Sequence, residues 1–178
     1  SPRFGTKPGM CKAIVHSPQT RYTFARVGMP AEAIHVMRHA CLSGKEHTMD
    51  KGEAKAKLGF APDDVVLTMF GFVGGYKGHD IAVSALEELP ENYRLAICGG
   101  SHPESRDIYL SELLKQIRNA GLEERVTITG WLPSDVAETY YAATDLCLAP
   151  YRPSNLSSSG AITWALSSQC PVVGSRIN

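Results

Sequence analysis

The stretch that decides the fold of this chain is residues 65–78, which read VVLTMFGFVGGYKG. An apolar run rich in β-branched residues, typical of a buried strand, leads into four glycines and one lysine, Lys77. Apolar residues then recur at helical spacing from Ile81 to Leu89. A strand, a flexible turn and a helix start bring backbone N–H groups and the positive end of a helix dipole together, and this arrangement can bind phosphate. Lys77 adds a mobile positive charge at the same place.

Composition excludes several classes of protein. The 178 residues allow one full domain, or one domain and a piece of another. Eighteen basic residues balance 18 acidic ones, so no global charge favours nucleic acid. Neither a bilayer-spanning apolar run nor a signal-peptide pattern is found, although peripheral contact with a membrane stays open. The five dispersed cysteines form no C-x-x-C pair, which favours a reducing, cytoplasmic location and no metal site.

Strands and helices alternate from residue 65 onward. Strands are predicted at 65–70, 94–98, 126–129, 146–149 and 171–174. Helices are predicted near 79–88, 106–120, 134–142 and 159–168, with Ser134 as the N-cap of the third. This alternation predicts an α/β fold with a doubly wound parallel sheet, in which ligands bind at the carboxyl ends of the strands.

The first 64 residues follow another pattern. Strand-like segments at 13–17 and 34–37 flank a helix near 19–27, and Asp50 caps a short helix at 51–58. We therefore expect residues 1–45 to be the end of a preceding α/β domain with a linker, and residues 46–178 to be the doubly wound domain. Since the chain stops just past a strand, we expect that domain to be truncated at its carboxyl end.

A series of short motifs carries a family resemblance. They are KG at 77–78, LAICGG at 95–100, VTITG at 126–130, YAATD at 141–145 with a strand closing at Pro150, and CPVV at 170–173. Their order resembles the carboxyl-terminal, Rossmann-like, nucleotide-sugar-binding domain of GT-B glycosyltransferases, closest to glycosyltransferase family 4. Residues 16–41 resemble the end of the partner domain and the linker. The resemblance implies transfer of a hexosyl group, with retention, from a nucleoside diphosphate sugar to an unidentified acceptor, by an enzyme of which this piece alone is inactive.

Three positions depart from the family pattern. Phe72 stands where the glycine turn usually carries an arginine, and Leu156 and Trp164 stand where the E-x7-E motif places glutamates. The segment LSSSG at 156–160 resembles a variant with Ser-Gly at this helix start. Two alternatives therefore stay open: a degenerate, non-catalytic GT-B binding domain, or a GT-B nucleotide-sugar epimerase or phosphorylase.

The candidate site has two diphosphate-binding walls. The first is the glycine turn, with Gly74, Gly75, Gly78 and the catalytic cation Lys77. The second is the helix start at 158–160, where Ser158, Ser159 and Gly160 would offer N–H groups to the distal phosphate. An N-cap alone would also explain these serines.

Neighbouring loops supply further candidates. Arg152 is expected to replace in part the cation missing at position 72. Trp131 and Leu132 are expected to contact the base, with ordinary packing as the alternative. Gly100 and Ser101 are expected to line the cleft.

Other residues have plainer interpretations. Trp164 lies in an apolar helix and is predicted to be core, and His102 to be a solvated loop residue. His16 ends a strand and is a candidate for the interdomain cleft. Neither a Walker A sequence nor a G-x-G-x-x-G fingerprint is present, so we expect no cofactor beyond the nucleotide sugar, which is a co-substrate.

Overall fold

The structure, a computed structural model, describes residues 11–41, 49–101, 108–152 and 158–176. The strands in these ranges are β1 (Ala13–Val15), β2 (Ile34–Val36), β3 (Val65–Phe70), β4 (Tyr93–Cys98), β5 (Val126–Ile128), β6 (Leu146–Ala149) and β7 (Val172–Gly174). The α-helices are α1 (Pro18–Arg26), α2 (Lys51–Lys57), α3 (His79–Glu87), α4 (Ile108–Asn119), α5 (Ser134–Ala143) and α6 (Gly160–Ser167). None of the helices in the described ranges is long and apolar enough to cross a membrane.

Five strands form one parallel sheet in the order β5-β4-β3-β6-β7. This arrangement confirms the predicted doubly wound α/β fold. The chain builds outward from β3 through β4 and β5, then returns to place β6 on the other side of β3. The switch point of the topology therefore lies between β3 and β6, and ligands of such sheets bind in the crevice outside the carboxyl ends of these strands.

The two faces of the central strands bury different sets of side chains. Alternate residues of β3, such as Leu67 and Met69, face a cluster completed by α3 and α4. Phe70 belongs to the opposite cluster, where its ring stacks on Tyr141 with centroids 3.8 Å apart. Burial on both faces explains why β3 reads as a continuous apolar run. The cysteines of the core strands, Cys98 and Cys147, are buried free thiols.

An acidic side chain ties α2 to the sheet. The Asp145 carboxylate accepts the Val66 N–H at 2.9 Å and pairs with Lys51 at 2.9 Å and Lys55 at 2.7 Å. Lys55 is buried and also donates to the Asp64 carbonyl at 2.7 Å. Asp145 therefore has a structural role directly before β6.

Some local predictions need correction. Ser134 is the first residue of α5 rather than its N-cap, because the cap position falls on Pro133, whose side chain has no acceptor. Trp164 is 48% exposed, so the prediction of a core position is wrong. Helix α6 buries Ala165 and Ser167, and its apolar surface extends beyond the face that packs on the sheet.

The amino-terminal strands form a separate unit of structure. β1 and β2 pair in parallel as a two-stranded sheet joined by α1. The expected domain boundary at residue 45 lies outside the described residues and stays a prediction.

Candidate functional site

The glycine turn after β3 is held close to the loop after β4. Gly71 donates its N–H to Cys98 O at 3.0 Å, and Val73 donates to Gly100 O at 2.8 Å. Gly71 has a φ of 94°, and a Cβ at Gly99 would overlap the Gly71 carbonyl oxygen. Gly99 is thus required because the two backbones approach closely, and Gly71 because its backbone is left-handed. The turn is fixed at the ligand edge of the sheet.

Lys77 extends from this turn into the end of β3. Its ammonium donates to the Phe70 carbonyl at 2.6 Å and lies 5.8 Å from the centre of the Tyr151 ring, and the residue is 7% exposed. Burial lowers the pKa of Lys77 to about 8. Among the described residues no carboxylate forms an ion pair with it. Because Phe70 takes one of three ammonium donors, the site retains a buried positive charge suited to an anion.

Tyr151 connects the two predicted walls. Its hydroxyl lies 3.0 Å from Ser159 Oγ, and its buried ring faces Lys77. Ser159 is the N-cap of α6 and accepts the Ile162 N–H at 3.4 Å, which confirms the predicted capping. Gly160 begins the helix, whose first N–H groups have no partner within the helix. Sequence reasoning missed Tyr151, although an aromatic residue directly after a strand-ending proline was a visible signal.

Arg152 is placed beside the glycine turn and is already paired. Its guanidinium binds both oxygens of Asp80, with Nη1 to Oδ1 at 2.8 Å, and Nη1 also donates to Gly75 O at 2.6 Å. The Tyr109 hydroxyl donates to Asp80 Oδ1 at 2.7 Å. The Arg152 pair holds the pKa of Asp80 well below its usual range. A direct contact of Arg152 with diphosphate stays a prediction, and Asp80 and Tyr109 are site residues that the sequence did not reveal.

His79 is buried directly after the turn. The residue is fully buried, and neither ring nitrogen has a hydrogen-bond partner among the described residues. Burial, reinforced by the positive charge of Lys77, lowers the pKa of His79 to about 4. The nearby Gly74 backbone acts in the opposite direction, although it is not placed to form a hydrogen bond with the ring, and it offsets only part of this lowering. His79 is therefore neutral at pH 7 and adds no charge to the site.

The predicted base-binding side of the crevice is open. Trp131 is 80% exposed at the end of β5, so it is not a core residue. Leu132 is partly buried against the cluster that contains Phe70. A Cβ at Gly100 would lie 3.4 Å from Gly130 Cα, and Ser101 forms a bridge with Val73. The loops after β4 and β5 are thus brought together, while base contact by Trp131 and Leu132 stays a prediction.

The amino-terminal segment also reaches this edge. His16 Nδ1 lies 2.9 Å from Met37 O, and its ring lies 5.1 Å from that of His39. His39 Nε2 would be 3.9 Å from a Cβ at Gly160, so this histidine lies beside the start of α6. His102 and Leu156 lie outside the described residues.

Comparisons with known proteins agree with this fold. Residues 64–178 match the family model described as Glycosyl transferases group 1. A D-inositol 3-phosphate glycosyltransferase of Xylanimonas cellulosilytica is 30% identical over 96 residues, which are 54% of this chain and 22% of that protein.

Solved structures show the same fold at low identity. HepE of Anabaena, in complex with UDP-glucose, has a TM-score of 0.78 at 24% identity, over 93% of this chain and 45% of that one. Sucrose-phosphate synthase of Thermosynechococcus elongatus has a TM-score of 0.70 at 24% identity, over 92% of this chain and 40% of that one. The chain spans less than half the length of each of these relatives.

Proposed function

The chain belongs to the glycosyl transferases of group 1, and we propose that it forms the donor-binding part of an enzyme that moves a sugar from a nucleoside diphosphate sugar to an acceptor. The crevice between β3 and β6 would hold the diphosphate, and the remainder of the enzyme would bind the acceptor. We expect hexosyl transfer with retention, and we expect these residues alone to be inactive. The match to HepE, solved with UDP-glucose, supports a nucleotide-sugar donor.

The burial of Lys77 carries this proposal. A buried ammonium without a carboxylate partner is costly unless an anion joins it. Such an anion would raise the pKa of Lys77 again, because the opposite charge favours the protonated form. As the glycosidic bond breaks, negative charge grows on the leaving diphosphate, and Lys77 would stabilise that charge in a place that excludes water.

Backbone groups complete the proposed diphosphate site. The turn could approach the phosphates closely because it contains three glycines, Gly74, Gly75 and Gly78. Gly160 begins a helix whose free N–H groups face the same edge of the sheet. Ser158, which precedes the N-cap Ser159, belongs to this second wall. These groups supply positive potential without a metal, and no three metal-ligating side chains converge among the described residues. We therefore expect a metal-independent reaction. The cytoplasmic location rests separately on the dispersed cysteines of the sequence and is part of the proposal.

Calorimetry with a matched pair of lysine variants tests the proposal. UDP-, GDP- and ADP-sugars are titrated into the wild-type protein, Lys77→Met and Lys57→Met; Lys57 is an exposed lysine of α2. We expect one donor class to bind wild type and Lys57→Met alike, and Lys77→Met at least about 10-fold more weakly, as for a lost charge-assisted contact.

Two outcomes would contradict the proposal. If no nucleotide sugar binds the wild-type protein, the degenerate-domain alternative is correct. If the full-length enzyme turns over equally well with Lys77→Met, Lys77 has no catalytic part.

A further inference from the structure

We propose that Arg152 and Asp80 act as one positioning unit, which holds the glycine turn against the loop after β6, and that Arg152 is not a free cation for the donor. This role rests on the proposed donor-binding function. The proposal adds Asp80 to the site. The expected role of Arg152 changes from direct contact with the diphosphate to support of Gly75.

Among the described residues, Arg152 donates hydrogen bonds to the glycine turn and to Asp80 of α3. Its backbone N–H donates to Tyr76 O at 2.8 Å, while Nη1 donates to Gly75 O at 2.6 Å. The two terminal guanidinium nitrogens, Nη1 and Nη2, both donate to the Asp80 carboxylate. A guanidinium in this bidentate geometry is fixed in orientation, which a single contact would not achieve. Main chain and side chain of one residue thus hold two successive carbonyls of the glycine turn.

Asp80 is itself oriented from a third element. The Tyr109 hydroxyl of α4 donates to Asp80 Oδ1 at 2.7 Å, and the Asp80 N–H donates back to that hydroxyl at 3.3 Å. Gln116 Nε2, also on α4, donates to Asp80 O at 3.0 Å. The unit therefore links α4, the start of α3, the glycine turn and the loop after β6. It spans both sides of the switch point.

Charge makes each partner depend on the other. Asp80 lies in the first turn of α3, next to the proposed diphosphate site. Without Arg152, the Asp80 carboxylate would repel a diphosphate. Without Asp80, Arg152 would lose the contact that directs Nη1 to Gly75. Both single replacements should therefore weaken donor binding.

The two roles for Arg152 predict opposite effects of Asp80→Asn. If Arg152 were a cation for the diphosphate, removing its carboxylate partner would free the charge and strengthen binding. If Arg152 positions the turn, the same change loosens Gly75 and weakens binding. One substitution thus separates the two roles.

The experiment measures binding of whichever of UDP, GDP and ADP the wild-type protein binds most tightly, together with the corresponding nucleoside. The variants are Asp80→Asn, Arg152→Gln, Arg152→Lys and the double variant of Asp80→Asn with Arg152→Gln. The matched control is Arg94→Gln at the amino end of β4. Arg94 also pairs with an aspartate, at 3.4 Å from Asp64, and donates to a backbone carbonyl at 2.8 Å, but at the opposite edge of the sheet.

We expect each single variant at Asp80 or Arg152 to bind the diphosphate about 3- to 10-fold more weakly, as for a partly exposed bidentate pair. Arg152→Lys should rescue little, because lysine keeps the charge but not the fork. The double variant should bind the diphosphate no more weakly than whichever single variant binds it most weakly, since the two residues act together. Nucleoside binding, and diphosphate binding by Arg94→Gln, should be unchanged.

Three results would overturn the inference while leaving the proposed function intact. They are equal or tighter diphosphate binding by Asp80→Asn, full rescue by Arg152→Lys, and an equal loss of nucleoside affinity, which would indicate a general structural defect. If the wild-type protein binds no nucleoside diphosphate, the proposed function fails first and this role fails with it.

Discussion

Replacing His79 with leucine should remove most of the acid sensitivity of the fold between pH 7 and pH 5. His79 is fully buried, and its ring nitrogens have no hydrogen-bond partner in the part of the chain that the structure describes. Burial lowers its pKa to about 4 from an ordinary value of 6.5. The unfolded chain therefore binds more protons than the folded chain in this range. The free energy of unfolding falls as the pH drops below 6.5, and the loss is complete below pH 4.

The size of the effect follows from the pKa difference. At roughly 1.4 kcal/mol for each pKa unit, the full loss is about 3 kcal/mol, of which about 2 kcal/mol is reached by pH 5. Asp80 and Asp145 also have lowered pKa values, but their ordinary value is 3.8, so their contributions are lost only at lower pH. The interval from pH 7 to pH 5 thus separates the contribution of His79 from those of these two carboxylates.

Urea unfolding at pH 7, 6 and 5 measures this loss for the wild-type protein, His79→Leu and His35→Leu; His35 is an exposed residue of β2. We expect the wild-type protein and His35→Leu to lose about 2 kcal/mol, and His79→Leu to lose far less. At pH 7, His79→Leu should be at least as stable as wild type, because leucine leaves no unsatisfied polar atom. An unchanged loss between pH 7 and pH 5 in His79→Leu would refute the reasoning.

Three further variants separate stability from binding. Lys77→Met should raise the free energy of unfolding at pH 7 by about 1–3 kcal/mol in denaturant titrations, since a buried charge is removed, even as donor affinity falls; a less stable variant would contradict this. Gly99→Ala should lower the free energy of unfolding by about 2 kcal/mol and also weaken donor binding, because the new Cβ would overlap the Gly71 carbonyl. If nucleotide titrations give an unchanged affinity, the turn adapts to the added methyl group. Asp145→Asn should cost about 2–4 kcal/mol in thermal unfolding by leaving Lys55 buried without a carboxylate, and an unshifted midpoint would argue against that pair.

Secondary structure was readable because the sheet is buried on both faces. The continuous apolar run of β3 specifies a strand, and the helical spacing of apolar residues in α3 specifies a helix. The alternation of strands and helices along the chain then specifies parallel pairing of the strands. Trp164 shows the limit of this reasoning. An apolar helix reads as fully buried, but which face packs on the sheet depends on its docking angle, and Trp164 lies on the exposed part.

The site was predictable only in part. Lys77 and Ser159 lie at ends of elements, so their positions follow from the topology. The pairing of Arg152 with Asp80 joins residues 72 positions apart. It depends on β6 lying next to β3, and on Tyr109 of α4 orienting the carboxylate. Local sequence carries neither fact, so the sequence alone predicts only that Arg152 supplies part of the cation missing at position 72.

The balance of charges at the switch point explains why Lys77 matters so much when Phe72 stands in place of the family's arginine. Within residues 71–80 and 150–152, the charged side chains are Lys77, Asp80 and Arg152. Arg152 and Asp80 neutralise each other, and His79 is neutral at pH 7. Lys77 therefore supplies the uncompensated positive charge of this segment, and backbone N–H groups must supply the rest. Backbone dipoles are fixed in place and need no reorganisation. Under the proposed function, a diphosphate held between them and the buried ammonium would therefore meet a site already arranged for the charge that develops on the leaving group.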